Sequence, residues 1–196
     1  MVTNARGQSI AKDKRCGYNS IPNSFRGTER FEALEPCAGS RSPAIMNIQI
    51  KKSTDPLAAL NISRKNPHYF NSEGLKRMEK DFKTGVLIGA YYENTMVGFV
   101  SFKELNDQAV ELVWIAVEPK YQDSGIGASL VKEGIKLLPK KYLVCEMKTL
   151  SEIDPDPEYA RTRNFYKRLG FIPLETINPY PNWGKDNPCQ IFVKIL

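Results

Sequence analysis

Residues able to do chemistry gather along one strand and the turn that follows it. Glu111 is the one acid in the run Ala109-Val110-Glu111-Leu112-Val113-Trp114-Ile115-Ala116-Val117. Desolvation by apolar neighbours can raise a carboxyl pKa towards working pH, which is the property of a general base. The chain then passes through Glu118-Pro119-Lys120-Tyr121-Gln122-Asp123-Ser124-Gly125-Ile126-Gly127-Ala128 into a helix. A helix start leaves backbone amides without intrahelical partners, and its dipole adds partial positive charge there. Glycines let an anion approach, so the predicted chemistry is the binding of phosphate or pyrophosphate on main-chain amides. Gln122 and Ser124 could add side-chain donors. The Asp123 carboxylate must turn away from phosphate and could cap the helix.

Competing chemistries fit less well. A dinucleotide fold needs G-x-G-x-x-G after the first strand and an acid about twenty residues on, whereas these glycines lie mid-chain. A nucleotide-triphosphate loop needs a lysine after its last glycine, and Gly127 is followed by Ala128-Ser129. The four cysteines Cys16, Cys37, Cys145 and Cys189 show no C-x-x-C spacing, and His68 is the only histidine, so no metal site is expected. Cys145, in an apolar strand, reads as a buried inert thiol. A disulfide is conceivable only between Cys16 and Cys37, and a reducing compartment disfavours it.

The elements that position these residues follow from periodicity and punctuation. Residues 1–45 are rich in Gly, Ser, Asn, Pro and Arg and lack apolar periodicity, which predicts a disordered N-terminal extension ahead of a folded domain over 46–196. Alternation predicts a strand over 47–51. Asp55-Pro56 opens a short helix to about Arg64, and a second helix is expected over 72–82. Strands over 86–92 and 96–105 flank the tight turn Glu93-Asn94-Thr95 and should form a hairpin. The Glu111 strand, 109–117, is apolar on both faces and should lie centrally in a sheet. A helix over 126–138, a strand over 142–147, a helix from Pro157 behind Asp156 to about Leu169, and strands over 172–175 and 189–194 complete the order. The fold class is α/β, with one mixed sheet flanked by helices.

Two motifs carry a family resemblance. Val117-Glu118-Pro119-Lys120-Tyr121-Gln122 running into Gln122-x-x-Gly125-x-Gly127 resembles the pyrophosphate signature of the GNAT acyltransferase superfamily. Phe165-Tyr166-Lys167-Arg168-Leu169-Gly170-Phe171 resembles that family's F-Y-x-x-x-G-F helix end. The order of elements agrees over roughly 46–196. The resemblance implies the GNAT acyltransferase fold, with a mostly antiparallel sheet, and an N-acetyltransferase that moves an acetyl group from acetyl-CoA, its co-substrate, to an amine of a small molecule or peptide. Transfer would be direct, in a ternary complex, without a metal.

Site residues follow from the resemblance. Backbone from Gln122 through Asp123, Ser124, Gly125, Ile126, Gly127 and Ala128 would hold the pyrophosphate. Ile115, Ala116 and Val117 would pair with the pantetheine arm where neighbouring strands splay. Tyr166 would be the catalytic acid for the departing thiolate, since a phenol with a pKa near ~10 suits that task. Helical spacing would turn Phe165 inward with Thr162 and Leu169 and leave Tyr166 facing the cofactor. Arg163, one turn earlier, would meet a coenzyme phosphate. The Glu111 strand is similar to the base-bearing strand of the histone-acetylating branch, with Glu146 as reserve base. Where many relatives carry a cofactor-contacting asparagine this chain has Tyr159, which removes one contact. Tyr180, Trp183 and Gly184 could line the acceptor pocket.

Charge and hydropathy bound the partners. The net charge of +6 could signal nucleic acid, but the basic residues are interleaved with acids and form no stripe with aromatics. No nucleic acid partner is expected, nor a membrane, because no apolar run approaches the ~18 residues a span needs. The first thirty residues contain no apolar signal segment, which predicts a cytoplasmic protein. The resemblance leaves a homodimer open. A non-catalytic acyl-CoA sensor and a basic nucleic-acid-binding module are the alternative readings.

Overall fold

The computed structural model describes residues 46–181, 183 and 187–196. The predicted disordered extension over 1–45, with Cys16 and Cys37, and Gly184 lie outside the described residues. The elements are β1 (Gln49–Lys52), α1 (Pro56–Arg64), α2 (Ser72–Thr84), β2 (Val86–Tyr92), β3 (Thr95–Asn106), β4 (Ala109–Val117), α3 (Ile126–Lys136), β5 (Val144–Leu150), α4 (Pro157–Arg168), β6 (Ile172–Ile177) and β7 (Cys189–Ile195). A 3-10 turn at Pro119–Tyr121 precedes α3. The strands form a 7-stranded sheet in the order β1-β2-β3-β4-β5-β7-β6. Every pairing is antiparallel except β4 with β5.

Local chemistry explains the element ends. Asp55 accepts from the Ala58 amide at 2.9 Å and Asp156 from the Glu158 amide at 2.9 Å, each ahead of a proline at a helix start. Glu93 and Asn94 take left-handed φ values of 47° and 65°, the two-residue turn whose twist matches a hairpin. Both ends of β5 differ from the sequence expectation. Tyr142, expected in β5, instead closes a turn through its amide to the Pro139 carbonyl at 3.3 Å. At its other end β5 runs on to Leu150, because β7 pairs with it through Leu150 and Cys189.

Helices α3 and α4 cover one face of the sheet, burying Val110, Leu112, Ile115, Val117, Leu130, Met147, Tyr166 and Phe192. Helices α1 and α2 cover the other face over Phe99, Trp114 and Ala116. Each such large side chain contributes roughly 1.5–3 kcal/mol by leaving water. The β3–β4 register slips between Ser101–Trp114 and Phe102–Leu112, leaving Val113 as a bulge. The bulge changes the side-chain phase along β4, so Trp114 and Ala116 face α1 and α2 while Ile115 and Val117 face α3. No helix among the described residues is long and apolar enough to cross a membrane.

Candidate active site

The sheet opens at its middle. β4 and β5 pair from Ala109–Val144 to Leu112–Met147 and no further, although β4 continues to Val117 and β5 to Leu150. Beyond that point the strands form the walls of a wedge, and the β5-facing edge of Val113 to Val117 has no strand beside it. Ile115, Ala116 and Val117 stay paired with β3 on their other side.

At the end of the β4 wall lies the turn. Gly125 is the N-cap of α3, in the left-handed conformation at φ 84°, with no side-chain cap. Asp123 therefore does not cap the helix: its own φ is 59°, and its exposed carboxylate sits 3.7 Å from Arg161. The amides of Gln122 and Ser129 bond to the carbonyls of Pro119 and Gly125 at 3.2 and 3.0 Å. Those of Asp123, Ser124, Gly125, Ile126, Gly127 and Ala128 donate to no carbonyl among the described residues outside the helix. The side chains expected as donors are engaged inward. Gln122 Nε2 donates to Asn66 Oδ1 at 2.8 Å and the Val117 carbonyl at 3.1 Å, and Ser124 Oγ donates to the Tyr121 carbonyl at 2.5 Å. What the turn presents outward is thus main chain rather than side-chain donors.

A cavity of about 260 Å³ adjoins this turn, lined among others by Tyr121, Gly125, Gly127, Phe165 and Arg168. Phe165 packs inward as expected and its ring also reaches the turn: a Cβ on Gly127 would lie 3.6 Å from it. Tyr166 is fully buried, edge-on to Phe165 and Phe171 with ring centroids 5.1 and 5.5 Å away. Tyr166 thus joins Phe165 in the core rather than facing away from it, because α4 packs on the sheet face that carries Met147 and Phe192. Arg163 also differs from expectation. Its Nη1 donates to the carbonyls of Leu150 and Ser151 at 3.0 and 2.9 Å, tying α4 to the end of β5. Arg168, which sequence reasoning passed over, is the arginine beside the cavity; its spacing of three from Phe165 was the available signal.

Glu111 is not isolated. Lys148 Nζ donates to Glu111 Oε1 at 2.9 Å and to Glu146 Oε1, and Glu111 and Glu146 are direct partners in the β4–β5 register. Burial works to lower the Lys148 pKa, but Glu111 and Glu146 outweigh it and hold the ammonium above its usual range. The strand phase puts this cluster on the face opposite α3. Burial raises the Tyr180 phenol against the lowering field of Lys148, and its ring lies 5.0 Å from that of Trp183. Lys148 was also missed, although its alternation with Glu146 places both on one strand face.

The segment joining α1 and α2 ties both walls of the wedge together. Lys65 pairs with Glu118 at 3.0 Å and Asn66 holds Gln122, both on the β4 side. His68 lies 3.6 Å from Asp156, and the Tyr69 hydroxyl donates to Glu158 at 2.7 Å, both at the start of α4. Tyr159, where the family's asparagine was expected, is buried and its phenol pushed upward by burial and then by Asp156. Burial also pushes the Cys145 and Cys189 thiols up to about 12. Among the described residues no His, Cys, Asp or Glu group is arranged to hold a metal.

Residues 56–171 match the acetyltransferase (GNAT) family model. The chain belongs to the GNAT family. Among curated proteins none matches its sequence. Solved GNAT structures share the fold at low identity. A GNAT-family protein from Desulfovibrio desulfuricans superposes with a TM-score of 0.65 at 19% identity, covering 76% of this chain and 98% of that one. A GNAT acetyltransferase from Elizabethkingia anophelis, solved with acetyl-CoA bound, gives 0.60 at 21% identity over 76% and 99%. The ribosomal-protein-S18-alanine N-acetyltransferase of Escherichia coli gives 0.59 at 20% identity over 74% and 92%. The α/β sheet expected from sequence is this GNAT fold, and the family carries with it acyltransferase chemistry.

Proposed function

We propose that this protein is an N-acetyltransferase that moves the acetyl group of acetyl-CoA to an amine of a small molecule or peptide, both substrates being bound together. The observation that carries the reading is the parting of β4 and β5 after Leu112 and Met147 beside a turn of uncommitted amides. A pyrophosphate fits those amides, and an extended amide-bearing arm fits the β4 edge at Ile115 to Val117, up to the Val117 carbonyl that Gln122 and Asn66 hold. Arg168 is positioned to meet a phosphate at the cavity.

In this reading the amine nitrogen attacks the thioester carbon and the C–S bond breaks. Tyr166 supplies a proton to the departing sulfur from the dry core. Glu111, held in place by Lys148, takes the proton the amine must lose, directly or through water, with Glu146 beside it. Tyr180 and Trp183 bracket the acceptor's approach. N-acetyltransferases among the similar folds, such as the ribosomal-protein-S18-alanine enzyme, support nitrogen as the acceptor atom.

Calorimetric titration with acetyl-CoA tests the first half: absence of binding at millimolar ligand would end the proposal. An amine panel scored by release of free coenzyme A thiol tests the second. Tyr166→Phe is expected to lower kcat by about 100-fold while leaving acetyl-CoA affinity within about twofold. A non-catalytic sensor would bind the thioester and release no thiol with any amine.

A further inference from the structure

Thr149 is a buried hydroxyl that the fold itself leaves unused. It lies on β5, is 0% exposed, and its Oγ1 has no hydrogen-bond partner among the described residues. An unmade bond of this kind costs about 1–3 kcal/mol, and valine would fill the same volume on a strand without that cost. A polar group kept at such a place calls for a partner that arrives later.

Its position says where that partner lies. Alternation along β5 puts Thr149 on the face of Cys145 and Met147, which is the face α4 covers with Tyr166. On one side Thr149 pairs with Gln190 of β7. On the other, β4 has already parted, since the last β4–β5 pair is Leu112–Met147. Thr149 therefore belongs to the β5 wall of the wedge. Ser101 also has a partnerless buried hydroxyl, but it sits on β3 between Leu87 and Trp114 on strands paired at both sides, where nothing can enter.

We infer that the Thr149 hydroxyl donates a hydrogen bond to a carbonyl oxygen of the acyl-pantetheine arm in the wedge, an inference that rests on the acetyl-CoA reading. The carbonyl is either a pantetheine amide or the thioester itself, and the two separate by experiment.

Thr149→Val removes the donor at constant shape. The unliganded variant should melt at or above the wild-type temperature, and Thr149→Ser should bind and turn over within about twofold of wild type. If the partner is a pantetheine amide, Thr149→Val should bind coenzyme A and acetyl-CoA alike about 5- to 10-fold more weakly, the loss of one neutral hydrogen bond. If it is the thioester, coenzyme A binding stays unchanged and kcat falls, because the developing oxyanion loses a donor. Should the valine variant not fold, Thr149→Ala against Thr149→Ser gives the same contrast. Loss-of-hydroxyl variants that match wild type in binding both ligands and in kcat would overturn the inference. A wild-type protein that binds neither ligand would instead remove the acetyl-CoA reading, and the inference with it.

Discussion

The two ends of β4 serve one wedge by opposite means. At its C-terminal end the turn from Gln122 to Ala128 offers main chain, and its polar side chains are occupied inside the protein, Gln122 on Asn66 and Ser124 on Tyr121. Near its N-terminal end Glu111, Lys148 and Glu146 offer charged side chains in mutual contact. The first arrangement depends on where the backbone can adopt a left-handed conformation, as at Gly125. The second depends on which residues the β4–β5 register sets side by side. A main-chain site tolerates side-chain substitution and fails when conformation changes. A side-chain site fails when any one charge is lost.

That contrast can be broken or sharpened by experiment. The largest effect is expected at Lys148→Met, which leaves two adjacent carboxylates without their shared cation. Urea unfolding should show a loss of about 3 kcal/mol, the low end for breaking a buried ion pair from one side, because these side chains keep 14–23% of their surface exposed. The pH profile of kcat/KM should change as well, because two like charges are left facing each other across the β4–β5 register. An unchanged stability and profile would mean that the cluster does not act as a unit.

Next in size is the turn. Gly125→Val must place a β-branched residue at φ 84°, which costs ~1–2 kcal/mol, so acetyl-CoA affinity by calorimetry should fall roughly tenfold. Ser124→Ala, by contrast, should change it less than about twofold, because that hydroxyl is already spent on Tyr121. The reverse order would mean that side chains hold the anion after all.

The smallest effect concerns the thiols on β5 and β7. Burial raises Cys145 and Cys189 from an ordinary value of 9.0 to about 12, and for Cys189 the field of Lys148 partly opposes it. The unfolded chain ionises these thiols near pH 9 while the folded chain does not. Their contribution to stability is therefore fully present below pH 9 and is lost as pH climbs from there towards 12. Denaturation series at pH 8, 9 and 10 should decline, and Cys189→Ala should flatten the decline.

Much of this molecule was legible along the chain. The caps Asp55 and Asp156, each before a proline, announced their helices because capping is a contact within one turn. The hairpin at Glu93 and Asn94 and the whole of β4 were equally local. The ends of β5 were misjudged because a turn at Pro139 and pairing with β7 set them, and neither is visible in strand periodicity.

At the site the division is the same. The sequence by itself determined the glycine-bearing turn into α3, since glycine spacing and a helix start are properties of consecutive residues. It also named Glu111 and Tyr166 as chemistry-bearing positions. Only the tertiary structure decided what surrounds them: that Lys148 joins Glu111 to Glu146, that Phe165 and Arg168 line the turn while Tyr166 goes into the core, and that Arg163 is held by β5 carbonyls. These facts arise from register and helix rotation between segments far apart in the chain. Local propensity carries no information about them, because burial and charge pairing are settled only when the strands and helices meet.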